Sequence, residues 1–137
     1  MDATEDRPLY RRIDREIPAD PDRRDDVAAD LDRLAGTDDG AGLRRLLDEE
    51  AALAPFLVGV FSNSPFLRDL GLRDAERLTR ILAGAPETTL AELIAATGEP
   101  AADEAALMQR LRRGKQEAAL LIGLADLGGM WPLETVT

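Results

Sequence analysis

Residues 103–137 contain the longest uninterrupted helical pattern of this chain and constrain its fold more than any other stretch. Small and apolar side chains recur there at alternating steps of four and three, which predicts a buried seam along one long helix. Asp103 is placed to cap this helix, and Gly128-Gly129 followed by Pro132 is placed to end it. The predicted seam consists of Leu107, Leu111, Gly114, Ala118, Leu121, Ala125 and Gly128, widened by Met108, Ile122 and Leu124.

The opposite face of this helix begins polar at Arg112 and becomes small and nearly apolar before Asp126. We therefore expect the second half of the helix to be covered on both sides. Small residues on the seam, Gly114, Ala118 and Ala125, are expected to let a neighbouring helix approach closely.

The composition favours an all-α fold, a helical array or bundle with a long C-terminal helix. The chain has 137 residues, the size of one ordinary domain. Only 4% of them are aromatic, so the core is built mainly from Leu, Ile, Val and Ala, whereas strands favour β-branched and aromatic residues. We predict a loosely ordered lead-in over residues 1–22 and a helical domain over residues 23–137. The lead-in is expected to dock through Leu9, Tyr10, Ile13 and Ile17.

Turn and capping residues divide the helical domain further. The expected starts are Asp22 or Asp25, then Ser64 with Pro65, then Asp74, and finally a capping box formed by Thr89 and Glu92. The expected ends are Gly36, Pro55, Gly71, Gly84 and Gly98. The expected buried positions are Val27, Leu31, Leu34, Leu43, Leu46, Leu47, Ala51, Ala54, Leu78, Ile81, Leu82, Leu90, Leu93 and Ile94, with residues 56–61 as a further helix.

Charge and missing residue types exclude several functions. The net charge is -10, with net -7 on residues 1–50, which argues against nucleic acid and against anionic lipid as partners. Neither Cys nor His occurs, so a disulfide, a thiolate nucleophile, a Cys/His zinc site and an imidazole base are all excluded. The acidic start predicts no signal peptide, and no apolar block approaches the ~20 residues that span a bilayer.

Paired carboxylates are the first candidates for metal chemistry. Asp20 with Asp22 and Asp30 with Asp32 have D-x-D spacing, which binds metal ions where it lies on an extended strand. Asp30 and Asp32 lie on a predicted helix, where two steps separate them by ~200°. We interpret both pairs as solvated surface and predict no catalytic, cofactor-binding or metal-binding residue in this chain.

Three further groups are assigned structural roles. Ser62, Asn63 and Ser64 have no base to activate a hydroxyl, so capping is the favoured reading. Arg110, Arg112, Arg113 and Lys115 either contact an anion or acidic partner, or form a solvated face paired with the acidic front half, which we favour. Asp126, near a helix C-terminus, is expected to pair with an arginine.

An ordered set of residues resembles the N-terminal segment of the glutamate–ammonia ligase adenylyltransferase family. The resemblance covers about residues 61–137, with a compatible lead-in from Arg11 to Pro21. It is carried by Phe61-Ser62-Asn63-Ser64-Pro65-Phe66-Leu67, Leu72-Arg73-Asp74 with Leu78, Leu111-Arg112-Arg113, Ala118-Ala119-Leu120-Leu121-Ile122-Gly123-Leu124-Ala125-Asp126-Leu127 and Trp131 to Thr137.

The resemblance implies a cytoplasmic enzyme of nitrogen regulation that adds AMP to a glutamine synthetase tyrosine and removes it by phosphorolysis. It implies Mg²⁺ and ATP for the parent enzyme, and glutamine synthetase and the PII signal protein as partners. The family's catalytic Asp-x-Asp does not follow Gly128-Gly129. We therefore expect a non-catalytic helical portion upstream of a nucleotidyltransferase domain, with the residues from Leu133 onwards opening another helix. The alternative is a small acidic helical protein-interaction module.

Overall fold

Helices account for all the regular structure of residues 7–130, the part of the chain that the computed structural model describes. This confirms the all-α prediction, including the long C-terminal helix. Short 3-10 turns cover Leu9–Arg11 and Asp38–Gly40. The seven α-helices are α1 (Arg24–Ala35), α2 (Ala41–Glu49), α3 (Leu53–Asn63), α4 (Pro65–Arg73), α5 (Ala75–Ala83), α6 (Pro86–Thr97) and α7 (Glu104–Leu127).

Side-chain caps start three of these helices where the sequence predicts them. The hydroxyl of Ser64 accepts a hydrogen bond from the Leu67 amide at 3.2 Å, and Pro65 occupies the first turn of α4. The Asp74 carboxylate accepts from the amide of Arg77, and Asp103 accepts from the amide of Ala106. Each cap satisfies an amide that has no partner within its own helix, so each fixes the start of a helix.

Two prolines begin helices instead of ending them, and two predicted boundaries are therefore wrong. The second helix ends at Glu49, and Pro55 lies in the first turn of α3. Pro86 opens α6, so Thr89 is a buried residue inside that helix and the predicted Thr89 capping box does not form. Both positions suit proline because amides of the first turn have no intrahelical acceptor.

Two other predicted boundaries are also wrong. The first helix begins at Arg24, and neither Asp22 nor Asp25 caps it. The fourth helix continues past Gly71 to Arg73, and Gly71 packs against the Phe61 ring inside that helix. A Cβ built on Gly71 would lie 2.4 Å from that ring, so this glycine provides space for packing instead of a stop.

The most apolar helix, α3, lies at the centre of the core. Seven of its eleven residues are buried, including Phe56 and Phe61. Both α1 and α4 pack on it, and α2 packs on α5. The lead-in contributes Leu9 and Tyr10 to the same core. No helix of residues 7–130 has the length and apolar character needed to cross a membrane.

The long helix α7 is buried only in its second half. Leu120, Leu121, Leu124 and Ala125 are buried, whereas Leu111 on the predicted seam is 39% exposed. Strict steps of four and three drift by about 20° per heptad on an α-helix, so over three heptads the predicted seam turns away from the core. The first half of α7 instead packs against α6. We call this hairpin, residues 86–97 and 104–118, the arm.

The close helix approach occurs on the opposite face of α7 from the predicted one. A Cβ built on Gly114 would meet nothing within 4 Å, whereas one on Gly123 would lie 2.9 Å from the Leu67 side chain. The α4 helix therefore covers the face of α7 that contains Gly123, but Ile122 and Asp126 are exposed, so the second half of α7 is covered less completely than predicted. On α6, Leu90 and Leu93 are half-buried, but Ile94 is exposed.

The remaining predictions on this part of the chain have mixed outcomes. Gly128 caps the end of α7, and Gly129 adopts the left-handed conformation with a φ of 78°. The helix predicted from Leu133 onwards lies outside the described residues. The division of the chain at residue 22 stays a prediction.

Candidate functional site

The lead-in crosses α3 at a platform formed by Gly59, Ser62 and Asn63. The Asp20 amide donates to the Ser62 hydroxyl at 2.9 Å, and that hydroxyl donates to the Gly59 carbonyl at 3.1 Å. The Asn63 side chain donates to the carbonyl of Pro18 at 2.7 Å. Ser62 and Asn63 thus anchor the lead-in, and only Ser64 has the capping role predicted for all three.

A groove lies between the lead-in and the start of α3. It has a volume of about 810 Å³ and is bounded by residues 13–19 on one side. Its other side is formed by Ala51, Ala52, Pro55, Phe56 and Val58. The lining also includes Asp14, Arg15, Glu16 and Arg24, so the groove has one apolar wall and charged side chains around it.

Of the paired carboxylates, Asp30 and Asp32 form separate ion pairs, whereas Asp20 accepts a hydrogen bond within a turn. Asp30 lies 2.5 Å from Arg68 and 2.8 Å from Arg33, and Asp32 lies 2.6 Å from Arg44. The Asp20 carboxylate accepts from the amide of Asp22, which makes Asp20 part of a turn. Within residues 7–130, no three carboxylates lie close enough to hold a metal ion.

Two carboxyl groups titrate below their ordinary range. Hydrogen bonding by Arg68 lowers the pKa of Asp30 against the opposing effect of burial, and Arg33 lowers it further. Arg12 lowers the pKa of Glu87 through two hydrogen bonds at 2.7 and 2.9 Å. The Arg12–Glu87 pair joins the lead-in to the first turn of α6.

Lowering the pH should reduce the free energy of unfolding, because Asp30 and Glu87 lose their ion pairs when they are protonated. A carboxyl whose pKa falls on folding stabilises the native state above its unfolded pKa of about 4, and this stabilisation disappears as the pH falls below that value. We expect the double variant Asp30→Asn/Glu87→Gln to be less stable than wild type at pH 7. The difference should shrink at pH 3, as measured by urea denaturation. A difference of equal size at both pH values would contradict this assignment.

The cationic cluster and Asp126 do not form the pairs predicted for them. Arg110 donates to the backbone carbonyl of Glu99 at 2.7 Å, and no described carboxylate pairs with Arg112, Arg113 or Lys115. The predicted pairing of this cluster with the acidic front half is therefore wrong within residues 7–130. Asp126 is exposed and has no arginine partner there, because its solvated carboxylate needs none.

The sequence analysis missed a buried arginine, Arg77. Its side chain is 7% exposed, and its guanidinium donates to the Leu70 carbonyl at 3.2 Å. Leu70 lies in the last turn of α4, where carbonyls lack partners and the helix dipole favours a cation. The position of an arginine three residues after a capping Asp74 was the only available signal.

Residues 7–130 thus form an all-α domain with two distinctive surfaces, the groove and the arm with its cluster of Arg110, Arg112, Arg113 and Lys115. Both are suited to contacts with other protein segments.

The comparisons with known proteins confirm the resemblance expected from the residues. The chain is similar to a segment of curated proteins named bifunctional glutamine synthetase adenylyltransferase/adenylyl-removing enzyme. It is 52% identical over 84 residues to the protein from Bradyrhizobium sp. (strain ORS 278), covering 59% of this chain and 8% of that protein. It is 39% identical over 120 residues to the protein from Rhodopseudomonas palustris (strain HaA2), covering 85% of this chain and 12% of that protein. The Brucella suis biovar 1 (strain 1330) protein is 38% identical over 124 residues, or 88% of this chain.

The chain thus spans about a tenth of the length of these relatives. No protein-family model matches it, and no solved structure matches it significantly.

Proposed function

We propose that this chain is a non-catalytic helical domain of an enzyme that adenylylates and deadenylylates glutamine synthetase. The observation that carries the proposal is the similarity of 38–39% identity over 85–88% of the chain to proteins of that name. Because the similarity extends over nearly the whole chain, it relates the entire domain to these proteins and not only a short motif. The groove and the arm support a role in positioning other protein segments.

The chemistry of the proposed enzyme belongs to its other domains. Mg²⁺ and ATP would bind there, because the Asp-x-Asp pairs of this chain lie in a turn and on α1, and no Asp-x-Asp follows Gly128-Gly129. Glutamine synthetase and the PII signal protein are the proposed partners, and the cytoplasm is the proposed location.

A chimera tests this function. This chain should replace the matched segment of the Rhodopseudomonas palustris (strain HaA2) enzyme with both activities retained within about tenfold, equivalent to about 1.4 kcal/mol of transition-state stabilisation. The measurement is AMP transfer to glutamine synthetase and AMP removal by phosphate. Deletion of the segment is the control and should abolish one or both activities.

Two outcomes would contradict the proposal. One is a folded chimera as inactive as the deletion variant. The other is removal of AMP from adenylylated glutamine synthetase by the isolated chain with phosphate and Mg²⁺, because this would place a catalytic site inside it.

A second candidate function is an acidic helical interaction module that acts outside such an enzyme. The cationic cluster on α7, whose Arg112, Arg113 and Lys115 have no described acidic partner, favours it. That module would leave the chimera inactive.

A further inference from the structure

The outward face of α7 carries part of the seam predicted from the sequence, and the described domain leaves most of this part exposed. Met108, Leu111, Lys115, Ala118 and Ile122 follow one another at steps of three and four, and we call them the outer seam. Met108 is 54% exposed, Leu111 39% and Ile122 45%. Alternating steps of three and four are the spacing at which one helix packs along another, so this seam has the form of a helix-docking surface.

The α4 helix packs on α7 at one end of the outer seam. The Leu67 side chain lies against Gly123, the chain neighbour of Ile122. The same helix exposes Phe66, whose side chain is 63% exposed.

The positive charge at the centre of the outer seam indicates the charge that the partner helix should carry there. Lys115 occupies the middle of its five positions, Arg112 flanks it, and neither pairs with a described carboxylate. A partner helix that buries Met108 and Leu111 must lie over these cations. The docking helix should therefore carry apolar residues at heptad spacing and carboxylates at its centre.

A second copy of this chain fits the outer seam poorly. When two copies pair along the whole seam, parallel or antiparallel, the middle position of one meets the middle position of the other. Lys115 would then face Lys115 of the second copy, and like charges at such positions disfavour pairing.

The extent of the outer seam indicates where the partner helix comes from. Residues 108–122 span about 21 Å of helix. One helix face of that length buries less than the roughly 1,200 Å² of a stable free-standing complex. A free helix should therefore bind this seam only weakly, and a tether that raises its effective concentration favours docking. A longer polypeptide provides such a tether, and the matched segment is only 8–12% of the length of the relatives.

We propose that the outer seam of α7 binds an amphipathic helix with an acidic centre, supplied by another domain of the same longer polypeptide. This proposal rests on the proposed function only in treating the chain as one domain of such an enzyme.

Cysteine reporters test the proposal, because the chain has no cysteine of its own. Leu111→Cys and Ile122→Cys place thiols on the outer seam, and Gln109→Cys is the control on another exposed face of the same helix. Thiol modification of both seam cysteines should be at least about tenfold slower in the chimera than in the isolated chain. The Gln109→Cys variant should react equally fast in both, with modified peptides identified by mass spectrometry.

The activity of the chimera separates this proposal from the proposed function. Seam cysteines that react equally fast in an active chimera overturn the docking proposal and leave the proposed function intact. Protected seam cysteines in a folded but inactive chimera support docking and contradict the proposed function.

A peptide titration of the isolated chain gives a second test that needs no chimera. The probe is a stapled helix of about three heptads with Leu at the seam positions and Glu at its centre, and the control peptide has Lys at that centre. The Glu peptide should shift the amide resonances of residues 108–122 and bind at least about fivefold more tightly than the Lys peptide. Equal binding of the two peptides, shifts elsewhere, or self-association of the chain through the seam would each overturn the proposal.

Discussion

Replacing Gly59 by alanine should lower the free energy of unfolding by about 3 kcal/mol and release the lead-in from α3. A Cβ at this position would lie 1.9 Å from the carbonyl oxygen of Ile17, which is backbone and has no rotamer by which to move away. The lead-in must shift, and its hydrogen bonds to Ser62 and Asn63 break. Urea denaturation measures the loss, and faster tryptic cleavage after Arg15 reports the released segment.

Gly114→Ala is the matched control, because both glycines lie inside α-helices. Alanine favours a helix interior over glycine by about 1 kcal/mol, and a Cβ on Gly114 meets nothing within 4 Å. This variant should therefore be slightly more stable than wild type. If Gly59→Ala were stabilised to the same extent, the lead-in would not lie against α3.

Leu121→Ala should cost about 2–5 kcal/mol, because the Leu121 side chain is 0% exposed in the core and its truncation leaves a cavity. The loss should appear in urea denaturation as a lower midpoint with an unchanged slope.

Leu111→Ala is the control on the same helix. Leu111 is 39% exposed, so its truncation removes little buried area and should cost less than about 1 kcal/mol in the isolated chain. Similar losses for the two variants would mean that the seam predicted from the sequence, which contains both residues, is buried along its whole length.

The helices of this chain were predictable where a local side chain determines them. Ser64, Asp74 and Asp103 start helices because each accepts a nearby amide, and this interaction needs no information from the rest of the fold. Prolines were harder to interpret. The same residue ends one helix or occupies the first turn of the next, and tertiary packing chooses between the two at Pro55 and Pro86.

The side of α7 that faces the core was not predictable from its periodicity. The spacing places Leu111 and Leu121 on one seam, but the core ends near Ala118 and α6 packs against the first half of the helix. Gly59 and Gly123 are crossing points with residues distant in sequence, Ile17 and Leu67. A single sequence carries no sign of such contacts.

The candidate surfaces were predictable in part. The cationic cluster stands out in an acidic chain, but its lack of described carboxylate partners is visible only in three dimensions. The platform on α3 had a local signal in Ser62-Asn63-Ser64, yet capping and anchoring use the same residue types. Arg77 had almost no signal, because its partner is a backbone carbonyl.

The arm gives α7 two levels of local stability within one continuous helix. The half that contains Leu120 and Leu124 opens only when the core unfolds, whereas the half packed on α6 has few buried side chains and opens at a lower free energy. A helix bound along the outer seam would stabilise the arm by the free energy of that binding. Docking and local order are therefore thermodynamically linked, so the fraction of outer seams that hold a bound helix would determine how often the arm opens.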